Sequence, residues 1–313
     1  MKYEEMEAED NVSTVIQLVL LGFSDLPNLQ GLLFGLFSVI YVIILTGNSL
    51  IIILTRLDPT LQKTMHFFLA NFSSLEICYV SVTLPRSLVN LWTQDRSISV
   101  LDCAAQMCFI LILRATECLL LAVMACDHCV AICDPLHYSL VMTPKVCLQL
   151  AVGSWVSGIP VQIGQVCPIF SLRFYNLNEI NHFCDIPPIL KLVCRDTFAH
   201  ELSVYAVALL FSAVPFLLIL ASSSQIIPTI LRLPIARGQG KAFSTCSSHL
   251  LVMVLFFGSA AITYSTPKSS HSAGTDKLFS LIYTIVTPMF NPMIYSLWNK
   301  DVITALRKLL LEK

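Results

Sequence analysis

Apolar residues in this chain run in seven long, unbroken blocks separated by polar joints. The blocks lie near Gly31 to Thr55, His66 to Trp92, Cys103 to Ala131, Val146 to Pro168, Glu201 to Leu231, Phe243 to Tyr264 and Leu278 to Leu297. At 1.5 Å of rise per residue, each is long enough to cross about 30 Å of hydrocarbon as a helix. Continuous blocks predict an all-α membrane protein, a seven-transmembrane helix bundle, because a spanning helix satisfies its own backbone polar groups. Pro85, Pro160, Pro215, Pro288 and Pro292 fall inside the blocks and mark expected kinks. After the last block, Val302, Ala305, Leu306, Leu309 and Leu310 recur at i, i+3, i+4, i+7 and i+8. That spacing predicts a short amphipathic helix over Asn299 to Leu311, with Arg307 and Lys308 available to anionic headgroups. The organisation expected is a tail over residues 1–30, a seven-span domain over 31–298, and the amphipathic helix and tail over 299–313. The joints are short except Ser171 to His200, and no internal repeat is found.

Composition agrees with the pattern. The chain is 56% hydrophobic and 12% charged, against roughly 25% charged in an average soluble domain. A net charge of -1 gives no basic surface for nucleic acid. The first ten residues hold Glu4, Glu5, Glu7, Glu9 and Asp10, so no cleavable signal peptide is expected and the first apolar block directs its own insertion. Asn11-Val12-Ser13 is a glycosylation sequon in that polar tail.

Loop charge sets the expected orientation. With the amino terminus outside, Arg56, Lys63, Lys145, Arg232, Arg237, Lys241, Lys300, Arg307, Lys308 and Lys313 lie inside. Lys2, Arg96, Arg173, Lys191, Arg195, Lys268 and Lys277 lie outside. The bias is modest and follows the positive-inside rule. The localisation expected is a multi-pass plasma-membrane protein, amino terminus extracellular and carboxyl terminus cytoplasmic. No nucleophile elbow, phosphate loop or zinc-protease helix occurs in the sequence, so no enzyme is expected, and no cofactor.

Residues Met124 to Tyr138, MACDHCVAICDPLHY, end the third block and turn polar at Asp127-His128 before Asp134-Pro135. This stretch resembles the MAYDRYVAICxPLHY signature of odorant receptors, a branch of the rhodopsin-like, seven-helix G-protein-coupled receptors. Two further stretches resemble that family, KAFSTCSSHL from Lys241 to Leu250 and PMFNPMIYSLWNK ending at Lys300. Gly47-Asn48 in the first block resembles rhodopsin-like receptors, and a mid-membrane Asn can bond to neighbouring helices. The resemblance implies a small, mainly apolar volatile as ligand and a stimulatory G protein as partner. It places the ligand among Ile110, Leu111, Arg114, Val207, Phe211, Phe257, Ala260, Tyr264 and Thr284. It pairs Cys103 with Cys184 across the long loop, while Cys194 has Tyr175 where its partner would stand and is left either free or bound to Cys167.

Buried charge is the costly feature, since a carboxylate at mid-bilayer is disfavoured by roughly 3 kcal/mol on insertion scales. By resemblance Glu76 takes the place of an acidic residue that helps to bind sodium, and Glu117 matches a family Glu. Sodium at Glu76 and Glu117 stands beside a plainer reading of both as hydrogen-bonded packing groups. Arg114 precedes Glu117 by three, on one helix face. It either closes an internal ion pair or offers its guanidinium to an acidic ligand. Cys126, Cys129 and Cys133 share a face at i, i+3 and i+7, as small packing residues rather than metal ligands, with Cys133 also open to lipidation.

By the same resemblance the G-protein switch uses Asp127, His128, Ser223, Asn291, Pro292 and Tyr295. The family's Arg is here His128, and its fifth-helix Tyr is Ser223. Weak signalling is therefore expected, with a signalling-impaired receptor as the alternative and a transporter or channel as a more distant one.

Overall fold

The computed structural model describes residues 17–20, 29–58, 64–93, 96–172, 179–180, 184–190, 192–193, 197–232, 246–258, 287–298 and 300–311. Within them the apolar blocks are helices: α1 (Gln30–Leu57), α2 (Thr64–Thr93), α3 (Val100–Cys133), α4 (Pro144–Phe170) and α5 (Phe198–Arg232). These five are long and apolar enough to cross a membrane. A shorter apolar helix, α6 (Cys246–Gly258), and α7 (Thr287–Trp298) follow. The rest of the sixth and seventh blocks lies outside the described residues. The terminal amphipathic helix is α8 (Lys300–Leu311), whose Val302 and Ala305 are buried while Arg307 and Lys308 are exposed.

Local chemistry explains where the helices begin and end. Ser99 caps α3 by accepting from the Asp102 backbone N–H at 3.0 Å, and Asp102 places a carboxylate in the positive first turn. The helix runs to Cys133 and stops before Asp134-Pro135, since a residue before proline disfavours helical backbone. Thr143 caps α4, and Pro144 occupies its first turn, where a missing N–H costs nothing. Prolines also lie within α2 at Pro85, α4 at Pro160 and Pro168, and α5 at Pro215 and Pro228.

Helix α3 is the central strut, packed by α2, α4 and α5, while α1 packs on α2 and α7. Gly158 of α4 lets the backbone of α3 come close: a Cβ there would meet the Ala115 Cβ at 3.2 Å. Small residues at such crossings are how membrane helices gain van der Waals contact without a hydrophobic driving force. The surface is correspondingly apolar. On α5, Leu202, Leu209, Leu210 and Leu217 are exposed, and on α1 Leu32 and Val39 are as well. Charged and polar groups turn inwards instead, with Glu76, Arg114, Glu117 and Asp127 buried. Apolar outside and ionisable inside is the arrangement a lipid environment selects.

One small feature departs from an all-helical reading. Gln17–Leu20 (β1) pairs antiparallel with Ser97–Ser99 (β2) and parallel with Glu179–Ile180 (β3), joining the amino-terminal segment to the short joint between α2 and α3 and to the long joint after α4. Strands of two to four residues carry too few alternating positions to be legible as a pattern. Leu18, Leu20, Ile98 and Ile180 of this sheet pack with Ile169, Ile186 and Ile189 around a disulfide joining Cys103 to Cys184. That bond spans 81 residues with Cα atoms 5.5 Å apart and ties the long joint to the start of α3. In the chain-entropy picture a loop of this length stabilises by about 4 kcal/mol. It also marks one end of the bundle; Asp127 and His128 lie towards the opposite end of α3.

Candidate functional site

At mid-bundle the structure gathers a chain of polar groups from α2, α3 and α7. Arg114 donates to Glu117 Oε2 at 2.8 Å and to the Tyr79 hydroxyl at 2.7 Å. Its guanidinium carbon stacks 4.1 Å from the Tyr79 ring centroid and 5.5 Å from that of Phe256 on α6. Glu76 accepts from Asn291 Nδ2 at 2.5 Å and lies beside Glu117, so the chain runs from Tyr79 through Arg114, Glu117 and Glu76 to Asn291. Glu76, Glu117 and Asn291 are each 1% exposed and Arg114 9%. Of the two roles open to Arg114, the geometry has the internal ion pair.

The same oxygens bear on sodium. Glu117 Oε1 and Asn291 Oδ1 are buried without a hydrogen-bond partner among the described residues. With Glu76 they form an all-oxygen set suited to a small hard cation. Arg114 pairs with one of these two carboxyl groups. Among the described residues no group of three His, Cys, Asp or Glu is arranged to hold a metal. Asn48, expected to reach a neighbouring helix, donates to Ile44 of its own helix at 3.0 Å.

The positions expected to meet a ligand are brought together in part. Ile110 and Leu111 are half-buried on α3, Val207 and Phe211 on α5, and Phe257 on α6. Phe257 touches Phe216 of α5, ring centroids 5.2 Å apart, and stacks edge-on against Phe256 at 5.1 Å. Ile110 packs with the central apolar cluster and Leu111 with the one beneath the disulfide. Ala260, Tyr264 and Thr284 lie outside the described residues, as do Asn11 and Cys194.

Towards the other end, Asp127 accepts from the Tyr138 hydroxyl at 2.9 Å. Burial pushes the Tyr138 phenol up to about 12, so it stays a donor. His128 is 5% exposed and makes no hydrogen bond to Asp127; neither ring nitrogen finds a partner among the described residues. Its ring packs instead against His249 of α6, centroids 5.1 Å apart and planes inclined by 60°. Ser223 is half-buried, and its neighbour Ser222 contacts Cys126 at 3.9 Å. Cys129 lies 3.9 Å from Cys133, and these two face Gln225 and Thr229 of α5, in keeping with small packing groups. Pro292 and Tyr295 are placed on α7 by their backbone alone.

Three partners were not singled out from the sequence. Tyr79 stands three residues after Glu76, a spacing that puts both on one face, and Tyr138 and His249 lie inside the two quoted stretches MACDHCVAICDPLHY and KAFSTCSSHL.

Membrane-length helices, a joint pinned across one end by a disulfide, and a buried polar chain linking α2, α3 and α7 define a multi-pass helical membrane protein. Comparison with known proteins narrows the class. A family model described as olfactory receptor matches residues 37–313. Human olfactory receptor 10AG1 is 56% identical over 296 residues, covering 94% of this chain and 98% of that protein. Human olfactory receptors 10A4 and 10C1 are 50% and 49% identical, each match covering 96% of the relative and 96% and 95% of this chain. The chain belongs to the olfactory receptor family.

Proposed function

We propose that this protein is an odorant receptor that binds a small, mainly apolar volatile and passes the event to a stimulatory heterotrimeric G protein. The amino terminus is outside, so the disulfide end is the extracellular end; loop charge and the Asn11 sequon support that orientation. The observation that carries the mechanism is the polar chain from Tyr79 to Asn291. It lies between the half-buried apolar positions at the outer half and the Asp127 region at the inner half, and it joins three helices. A ligand packed against Ile110, Leu111, Val207, Phe211 and Phe257 would act directly on the helices that hold this chain. Ala260, Tyr264 and Thr284 complete the proposed ligand set. Signalling then requires only that the ligand bind one packing of the helices better than another. A sodium ion, when bound, would be held by Glu76, Glu117 and Asn291 and would balance the charge that Arg114 leaves.

Coupling is proposed to be weak. A His is shorter than Arg and lacks its five-donor fork. His128 is packed against His249 rather than bonded to Asp127, and Ser223 offers a small hydroxyl where the family's larger Tyr is expected. Asn291, Pro292 and Tyr295 of α7 remain as the family resemblance implies. The test is a panel of volatiles applied to cells reporting cyclic AMP, with surface staining as control. A concentration-dependent response to at least one volatile is expected; surface protein that neither binds nor responds to any would refute the reading.

A further inference from the structure

The buried side of α4 satisfies its polar groups with one exception. Ser154 donates to the Leu150 carbonyl at 2.8 Å, and Gln165 Nε2 donates to the Ser203 carbonyl of α5 at 3.1 Å. Gln162 lies between them, 4% exposed, and its Oε1 is buried with no hydrogen-bond partner among the described residues. Gly158, Gln162 and Gln165 stand at i, i+4 and i+7 and form one stripe. A Cβ at Gly158 would meet Ala115 and Ile112 of α3, and Gln165 bonds α5, so Gln162 sits in the seam of α3, α4 and α5. Leu111 on α3 and Val207 on α5 belong to the neighbouring turns of the helices that line this seam.

A second acceptor lies on α3. Gln106 Nε2 is committed to the Val82 carbonyl at 3.1 Å, which turns its Oε1 away, buried and without a partner among the described residues. Gln106 is one turn from Ile110, on the same side of the helix. The nearby cations are occupied, Arg114 by Glu117 and Tyr79, and Arg86 by the Ser97 carbonyl. Among the described residues, the outer half of the bundle therefore has buried acceptors to spare, while Arg86 and Arg114 are already engaged. An acceptor left unmatched in an apolar surround is costly, and a ligand that brings the donor removes that cost.

We propose that Gln162 is the polar handle of the ligand site, selecting volatiles that carry a hydroxyl group over ethers, aldehydes and carboxylic acids of the same size. This rests on the odorant-receptor reading above. A hydroxyl donates to the amide oxygen. An ether or aldehyde only accepts, and a carboxylate brings a negative charge up against the amide oxygen, which is itself an acceptor. Sites that read a hydroxyl by a buried hydrogen bond discriminate strongly against analogues lacking it, whereas purely apolar pockets do not.

The experiment measures ligand-induced stabilisation against heat of the purified full-length receptor in detergent. The probes are straight-chain alcohols of six to ten carbons and phenols, each beside its methyl ether, and for the straight chains also the aldehyde and acid. Alcohols or phenols should bind at least tenfold more tightly than their ethers. In Gln162→Leu, whose unliganded melting temperature should match or exceed that of the native protein, the alcohol and ether should bind within threefold of each other. Gln162→Met serves as a second apolar replacement of similar shape. Equal binding of alcohol and ether to the native protein, or a hydroxyl preference that survives in both variants, overturns the assignment of Gln162 and leaves the odorant reading standing. Stabilisation by no probe of any class overturns both.

Discussion

Removing Arg114 tests whether its guanidinium is structural. In Arg114→Ala, two charge-assisted hydrogen bonds are lost, to Glu117 and to the Tyr79 hydroxyl, together with stacking on Tyr79 and Phe256. Two carboxyl groups then remain adjacent, each 1% exposed, with no cation beside them among the described residues. Breaking a buried ion pair by deleting one partner typically costs about 3–5 kcal/mol, and an orphaned hydroxyl adds about 1 kcal/mol. A loss of that size is comparable to the whole stability of many domains, so the single variant should reach the cell surface poorly and melt well below the native protein. Glu117→Gln removes the opposite charge and leaves Arg114 facing Glu76 and Tyr79. The double variant Arg114→Ala, Glu117→Gln should then recover much of the loss. A double-mutant cycle on thermal stability, with surface staining in parallel, should give a coupling of about 2 kcal/mol, in the range found for groups in direct contact. Fully additive losses would refute the ion pair. A well-folded single variant that loses only its response to acidic volatiles would instead restore Arg114 to the ligand site.

Sodium should affect the melting temperature of the native protein weakly, because Arg114 supplies one of the two balancing charges, and the dependence should steepen in Arg114→Ala; equal dependence in the two would contradict the charge account. Replacing Cys103 or Cys184 should reduce surface delivery by similar amounts, and replacing both should be little worse than replacing one, whereas additive losses would show that they do not act as a bonded pair. A tag at the amino terminus should be reached on intact cells, and N-glycosidase should increase gel mobility unless Asn11 is replaced; a tag reached only after permeabilisation would reverse the proposed orientation. Tyr138→Phe should raise basal or agonist-driven activity by freeing Asp127, and an unchanged activity at equal surface density would mean that this contact holds nothing.

Much of the architecture was legible because bilayer thickness imposes a length on every spanning helix. The blocks predicted near Gly31 to Thr55 and Cys103 to Ala131 lie inside α1 and α3, which extend one to three residues further at each end. The extra residues include Gln30, Arg56 and Asp102, polar ends that hydropathy does not register. The sheet of β1, β2 and β3 was not legible, since its strands are brief and pair segments far apart in the chain. For the site, sequence spacing was enough to place Arg114 and Glu117 on one face but not to choose between ion pair and ligand contact. That choice depended on Tyr79 and Phe256, which reach the guanidinium from other helices. The partner of Asp127 was illegible for the same reason: Tyr138 is eleven residues on, past the Asp134-Pro135 break, and only the folded turn brings it to 2.9 Å. Gln162 drew no notice in the sequence, because an amide in an apolar helix is unremarkable until its oxygen is found buried with nothing to bond.

The central claim is that this receptor carries an intact ligand bundle on a weakened switch. Its most direct test compares agonist-driven G-protein activation by the native protein, His128→Arg, Ser223→Tyr and the double variant, at matched surface density. His128→Arg supplies a longer, permanently charged fork that can reach Asp127, and Ser223→Tyr supplies its counterpart on α5. The account predicts that the maximal response rises most in the double variant, by more than the two single changes combined, while ligand affinity stays within a few fold. A native response already as large as that of the double variant would contradict it.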